Sequence, residues 1–518
     1  MFPRISDYAF HHAAERPDAE AAIFGATCMS YAELADRVLR CAKALLTVGV
    51  GKGDRVAMLS TPRPEWLVVL LATADIGAIW VGLHPRYQMP EFRHVVGQSA
   101  PKVLIALPDI DGRDYRPELD TLRREFLGIE TFVTFPEASH DADSLDTFCM
   151  RGDAVADADW QAAREAVGAD DTAVIIFTSG TTGAPKGAMI KHLALVHGAL
   201  VECDRWPSRT LRLLHNMPIN HIAGVGMLAI YTVVAGGAQV FMDRFDPQAM
   251  LEIIERERIT FWLQAPTMFH LAVTQPDFAD YDLSSLEYII WAGSAMPRDL
   301  VATLHALDAT LATAFGMTEL GAYVTYSDLD ADFEVLANTI GRPEPRFEFR
   351  VADERNNPVA VDRQGEIQAR GDWLLAGYFN DPEATAEAFT ADGWFRTGDV
   401  AEVRADGNLS IVGRMKEMYI SGGYNIYPRE IEIAVESHPD VATAAVLGVP
   451  DPVFGEIGHA FVQPEPGAQV TIDDIDEWCR TRLANYKVPK RFEVGDDLPR
   501  LPIGKIDKQA LRRRLEIR

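Results

Sequence analysis

Between residue 54 and about residue 317, short β-branched runs alternate with stretches of helical period. The runs are DRVAMLS (54–60), KVLIAL (102–107), TAVIIFTS (172–179), ITFWLQ (259–264) and LEYIIWAG (286–293). Helix-period segments such as 247–258 and 297–307 follow several of them. Strands that alternate with helices at this spacing predict parallel sheets with helices on both faces. Two apolar stretches, 66–83 and 224–242, approach the length of a membrane span. Asp75 and Gly77 interrupt the first, and a Gly-Gly pair with Gln239 interrupts the second, so each reads as a buried helix running into a buried strand.

After about residue 340 the pattern changes to alternation. FEFRVAD, GEIQARG and VRADGNLSIVGR read as half-buried strands, the last split at Asp406-Gly407, a hairpin signal. This section predicts an antiparallel sheet, curved or closed into a small β-barrel. A third texture begins near Arg414: a Gly-rich loop, a helix start at PREIEIAVESHP, strands near 441–449 and 458–463, and a basic tail. With no low-complexity linker between them, the change of pattern alone sets the predicted boundary: domains 1–413 and 414–518.

Length and charge narrow the classes. The 518 residues imply a prior of about three or four domains or subdomains at roughly 150 residues each. A net charge of −27 argues against a bulk nucleic-acid or anionic-membrane binder, whose affinity comes from a basic surface. Hydrophobic and charged fractions of 48% and 24% are those of a globular protein large enough to need no disulfide or metal staple. Cys28, Cys41, Cys149, Cys203 and Cys479 are odd in number and never in C-x-x-C spacing, which reads as reduced thiols without a zinc site. No secretory signal is visible at the start and no lipidation or peroxisomal signal at Ile517-Arg518, so a soluble, cytoplasmic chain is expected. The oligomeric state is not legible. Residues 480–518 carry +7, leaving −34 on the rest. That basic end either handles an anionic ligand or is a solvated terminal helix, LRRRLEIR.

The strongest local signal is FTSGTTGAPKG (177–187), which packs three glycines, four hydroxyls and Lys186 between an apolar run and a helical pattern. Glycines let backbone N–H groups approach phosphate oxygens, hydroxyls add donors and the lysine adds charge. It lacks the G-K-[ST] ending of a Walker loop. AFGMTE (314–319) offers an aromatic ring and, in Glu319, a hard oxygen for Mg²⁺. WFRTGD (394–399), GRMKEMYISGGYNIYPREIE (413–432) and LPRLPIGKIDKQALR (498–512) complete the set.

In this order and spacing the motifs resemble the adenylate-forming superfamily: acyl- and aryl-CoA synthetases, amino-acid adenylation domains and beetle luciferases. The resemblance runs from about residue 30 to 512. It implies a large α/β N-terminal domain, of two doubly wound subdomains plus the small barrel, and a small α+β C-terminal domain on a hinge. It also implies use of ATP, Mg²⁺ and CoA. By similarity, Thr178, Ser179, Gly180, Thr181, Thr182, Gly183 and Lys186 hold the ATP phosphates. Phe315 stands where the family usually has tyrosine, keeping the ring that faces the base, with Gly316 beside it. Thr318 is expected at the α-phosphate, Glu319 at Mg²⁺, Asp399 at the ribose and Arg414 near ribose and phosphate. Lys416 matches the hinge, and Lys505 the lysine that bridges substrate carboxylate and α-phosphate. Gly422 and Gly423 would line the pantetheine tunnel once the small domain rotates.

For the acyl side, His221 in PINHIAG matches the family's gate, with Ile222, Gly224, Gln264, Ala265, Gly293, Met317 and Ala322 as pocket walls. Asn220-His221-Ile222 offers no acid for an α-ammonium, which makes amino acids poor substrates. Met317 leaves room where acetate-specific relatives carry tryptophan. The expectation is a medium-sized apolar or aromatic monocarboxylate, fatty, benzoic, cinnamic or alicyclic. Lys487, Lys490 and Arg491 are loose candidates for the CoA 3′-phosphate. Three alternatives stay open: an enzyme loading a separate carrier protein, a luciferase-like oxygenase, and a non-catalytic nucleotide-binding descendant. The last is opposed by the presence of Lys186, Glu319, Asp399, Arg414 and Lys505.

Overall fold

The computed structural model describes the chain except 136–142, 179–184, 294–295, 423, 502–505 and 517–518, together with the side chains of 143, 425 and 516. It divides into two compact units: Met1–Ser294 with Thr303–Asp330 and Gly371–Ala388, and Ala295–Ala302 with Ala331–Arg370 and Phe389–Arg518.

The first unit holds two large sheets. One runs Gly377–Tyr378, Lys186–Lys191, Thr172–Thr178, Ile79–Leu83, Arg55–Leu59, Val103–Ala106, Thr131–Thr134, Asp143–Ser144. Its interior pairings, from Thr172–Thr178 onward, are parallel, as the alternating texture predicts. The other has a parallel interior of Thr310–Gly316, Tyr288–Ala292, Phe261–Gln264, Arg212–His215, Ala238–Phe241 and Glu20–Phe24. Antiparallel strands Tyr323–Tyr326 and Thr27–Ser30 flank it. Both long apolar stretches resolve as expected. Helix Pro64–Asp75 leads into strand Ile79–Leu83, and the π-helical turn Ala223–Ile230 continues through helix Tyr231–Ala235 to strand Ala238–Phe241. No helix among the described residues is long and apolar enough to cross a membrane.

Local chemistry explains several boundaries. Helix Tyr31–Thr47 opens on a capping box: Ser30 Oγ accepts from Glu33 N–H, and the Glu33 carboxylate accepts from Ser30 N–H. Helix Pro428–Glu436 starts with proline at its first position, where a missing N–H costs nothing. Trp66, Trp80, Trp262 and Trp291 are fully buried in the first unit, and each large apolar side chain removed from water contributes about 1.5–3 kcal/mol.

In the second unit, Glu348–Ala352, Gln364–Arg370, Phe395–Val403 and Leu409–Arg414 form a four-stranded antiparallel sheet where the small barrel is expected. Val403 pairs with Leu409 across the Asp406-Gly407 turn, and Gly407 adopts φ +83, as the hairpin signal requires. A five-stranded sheet follows, with Gly455–Pro464 joining Val441–Asp451, Tyr419–Ser421 and Arg491–Val494, and Tyr424–Ile426 paired on Tyr419–Ser421. Its core is built by Tyr419, Ile426, Ile431, Val435, Val446, Val462 and Ile475.

Candidate active site

The Gly-rich motif does not run from strand into helix. Thr172–Thr178 pairs antiparallel with Lys186–Lys191, Thr178 opposite Lys186, and helix His192–Arg205 begins only afterwards. The expected strand–loop–helix is thus corrected to a hairpin whose connection is followed by a strand. The six-residue run KGAMIK is too short for its period to separate it from the helix behind it. Lys186 is therefore the positive group at the loop's exit, rather than a helix N-terminus. Ser179, Gly180, Thr181, Thr182 and Gly183 lie outside the described residues.

Thr178, at the entry to the loop, and Tyr378 converge on Glu319. This carboxylate is buried on the short helix Thr318–Leu320, beside Thr318, which is buried as well. Thr178 Oγ1 donates to Glu319 Oε1 at 3.3 Å, and Tyr378 Oη donates to the same oxygen at 3.0 Å. Among the described residues no donor meets Oε2. Lys186 Nζ lies 5.5 Å from the centre of the Tyr378 ring. Tyr378 is absent from the sequence expectations, as is His94, whose Nε2 donates to the carbonyl of Pro185 at 2.8 Å. No group of three or more His, Cys, Asp or Glu among the described residues is placed to hold a metal. One fixed hard carboxylate oxygen still fits Mg²⁺, which keeps several waters and takes its remaining ligands from substrate phosphates.

Strand Thr310–Gly316 delivers Phe315 and Gly316 to the same end. A Cβ on Gly316 would sit 2.2 Å from the carbonyl oxygen of Ala322, so the close return of the chain here demands glycine. Gly224 is constrained likewise, its Cβ position lying 2.4 Å from the Pro218 carbonyl oxygen. His221 Nδ1 accepts from Ala223 N–H at 3.1 Å, which puts the neutral imidazole's proton on Nε2. His84, unforeseen from sequence, lies close enough to His221 to feel its charge. Burial first, then Arg86 and His221, lower its pKa to about 4. Asn220 Nδ2 donates to Tyr87 Oη at 3.2 Å, joining the segment beside His221 to the loop after strand Ile79–Leu83. Among the expected walls, Ile222, Gly224, Gln264 and Ala322 are buried, Ala265 and Met317 are half-buried, and Gly293 is exposed at φ +84. Gln264 Nε2 donates to Asn216 Oδ1 at 2.8 Å.

The second unit brings together Asp399 and Arg414. They face each other across Phe395–Val403 and Leu409–Arg414, and Arg414 Nε donates to Asp399 Oδ1 at 2.8 Å. Strand register thus places an acceptor and a cation side by side, the pair that ribose hydroxyls and a phosphate call for. Lys416 is exposed on the one-turn helix Met415–Glu417. Gly422 has φ +56, which favours glycine, and Gly423 lies outside the described residues. Lys505 does too, but its loop is bracketed by a bridge between Arg500 and Ile506. Lys487 is committed to Glu430 at 2.5 Å, which weakens its candidacy for a CoA phosphate; Lys490 and Arg491 are exposed.

Lys508, three residues beyond Lys505, is also unforeseen. Its Nζ lies 2.5 Å from Glu417 Oε2 and 2.7 Å from Glu432 Oε1, tying the terminal helix Lys508–Glu516 to the segment after Arg414. Burial opposes the charge on Lys508, but Glu432 and Glu417 outweigh it and raise its pKa.

Comparison with known proteins finds relatives that span the chain. Residues 9–379 match the model of the AMP-binding enzyme family, and residues 430–505 that of the AMP-binding enzyme C-terminal domain. A feruloyl-CoA synthase of Amycolatopsis is 37% identical over 513 residues, covering 98% of this chain and 99% of that one. An indoleacetate–CoA ligase of Aromatoleum aromaticum is 34% identical over 98% of this chain and 97% of its own. ATP-bound MatB from Rhodopseudomonas palustris superposes with a TM-score of 0.88 at 29% identity, covering 100% of this chain and 99% of that one.

Proposed function

The chain belongs to the AMP-binding enzyme family and is an AMP-forming acyl-CoA ligase, and from that premise we propose that it activates a medium-sized apolar or aromatic monocarboxylic acid. The acid's carboxylate oxygen attacks the α-phosphorus of ATP and pyrophosphate leaves, giving an acyl-adenylate. The CoA thiol then attacks the acyl carbonyl, a carbon–sulfur bond forms, and AMP departs with the carbon–oxygen bond's electrons.

The observation that carries this reading is the cluster at the base of the Gly-rich loop. A buried carboxylate, Glu319, is fixed by hydroxyls from Thr178 and Tyr378 beside Lys186. Carboxylate and triphosphate repel each other, so the residues' task is to offset negative charge while the reacting atoms approach. Lys186 would hold phosphate oxygens and Thr318 the α-phosphate, while the Phe315 ring packs on the base. Glu319 would hold Mg²⁺, which when bound neutralises charge developing on the phosphates. In the second unit, Asp399 would accept from the ribose hydroxyls, oriented by Arg414. Lys505 would bridge the two reactants during adenylation, and rotation about Lys416 would replace its loop by Gly422 and Gly423.

The acyl preference is supported by the absence of an acid at Asn220-His221-Ile222, by adaptable Met317, and by relatives named for feruloyl and indoleacetate substrates. Pyrophosphate exchange into ATP across a panel of carboxylic acids, with and without CoA, tests it. Aryl and medium-chain acids are expected to support exchange, and acetate and α-amino acids to be at least tenfold poorer. Preference for an amino acid would overturn the substrate assignment. Exchange without any CoA thioester would point to carrier loading instead.

A further inference from the structure

Tyr378 sits in no motif, yet three elements meet at its side chain. The two-residue strand Gly377–Tyr378 pairs antiparallel with Lys186–Lys191, with Tyr378 opposite Ala188, and Phe379 N–H donates to the Gly187 carbonyl at 2.7 Å. That register sets the ring beside Lys186, 5.5 Å from Nζ, and points the hydroxyl at Glu319 Oε1, 3.0 Å away. Thr178 delivers its hydroxyl to the same oxygen at 3.3 Å. Two donors on one carboxylate oxygen stop rotation about the carboxyl bond and reserve the other oxygen for a hard cation.

We propose that Tyr378 is a positioning residue that orients Glu319 for the Mg²⁺ accompanying ATP and steadies Lys186 against its ring, so that metal ligand and phosphate-binding cation are held by one side chain. This rests on the reading of Glu319 as the metal's carboxylate. The ring and the hydroxyl have separable duties, which two substitutions divide. Tyr378→Phe removes only the donor to Glu319; Tyr378→Ala also removes the face on which Lys186 rests.

The full-length protein is titrated with ATP by calorimetry, without metal and over a Mg²⁺ series, and Mg²⁺ half-saturation of pyrophosphate exchange is measured in parallel. For Tyr378→Phe, metal-free ATP affinity is expected within twofold of wild type, while Mg²⁺ half-saturation rises about 10- to 100-fold, as when a ligand's hydrogen-bond partner is lost. For Tyr378→Ala the same shift is joined by a loss of metal-free ATP affinity of about two- to fivefold, the size of an exposed cation–π contact. If Tyr378→Ala does not fold, Tyr378→Phe with Thr178→Val carries the test, both raising Mg²⁺ half-saturation. A Mg²⁺ response in Tyr378→Phe within twofold of wild type overturns the role of Tyr378 alone. Wild-type protein whose ATP affinity ignores Mg²⁺ overturns the reading of Glu319, and this assignment with it.

Discussion

Substituting Gly316 by alanine tests whether the return of the chain at 316–322 positions the Glu319 carboxylate. The added Cβ would lie 2.2 Å from Ala322 O, 2.9 Å from Ala322 C and 2.9 Å from Tyr323 Cα. All three are backbone atoms, so no rotamer change relieves the clash. An ordinary carbon–oxygen contact is about 3.3 Å, so the two segments must separate by about 1 Å. Between them lies Thr318–Leu320, which carries Thr318 and Glu319. Overpacking of this kind costs about 1–3 kcal/mol, and a 1 Å misplacement of reacting groups costs about 10²-fold in rate. Urea unfolding and acid-dependent pyrophosphate exchange read the two effects separately. Gly128→Ala serves as control, since nothing lies within 4 Å of its Cβ position and its φ is not positive; its stability should stay within about 0.5 kcal/mol of wild type. If Gly316→Ala unfolds and exchanges like Gly128→Ala, the packing argument is wrong.

Lys505→Ala should abolish adenylation yet still convert preformed acyl-adenylate to the thioester; equal loss in both half-reactions contradicts its assigned role. Lys416→Pro, by fixing φ at the hinge, should spare pyrophosphate release and stop thioester formation, as quenched-flow analysis of both products would show. Lys508→Met leaves Glu417 and Glu432 without their shared cation and should destabilise the protein by about 3 kcal/mol in urea. Burial works against ionised Glu417, but Lys508 outweighs it and holds its pKa below the ordinary 4.5. The group's stabilisation is therefore present above about pH 4.5, and the gap between wild type and Lys508→Met should shrink as pH falls below that. His84 has the other origin, a histidine depressed from 6.5 to about 4 by burial. Its neutral form favours folding above pH 6.5, and that contribution falls by about 2 kcal/mol between pH 7 and 5. His84→Gln should flatten the acid limb of the stability curve by that amount, and an unchanged slope would refute the assignment.

Periodicity made the parallel interior legible, because DRVAMLS, KVLIAL and TAVIIFTS each supply a strand with a buried apolar centre to it. It could not show the antiparallel return of Lys186–Lys191, where six residues precede an unbroken helical pattern. Asp399 and Arg414 were legible because each lies in a motif that resembles the family's, and the hairpin signalled by Asp406-Gly407 aligns them. Tyr378 and Lys508 were not. Their partners lie 59 and 91 residues away along the chain, and the two-residue strand that places Tyr378 has no period at all. The hydrogen bond from His94 to the loop's exit spans 91 residues in the same way. Such contacts are set by sheet register and helix packing, which local pattern does not encode.

The most direct test of the central claim is product analysis by mass spectrometry after incubation with ATP, Mg²⁺, CoA and an aryl carboxylic acid. The account predicts AMP, pyrophosphate and the acyl-CoA thioester in equal amounts, with an acyl-adenylate accumulating when CoA is withheld. Formation of ADP and phosphate, or of acyl-CoA without any adenylate intermediate, would contradict it.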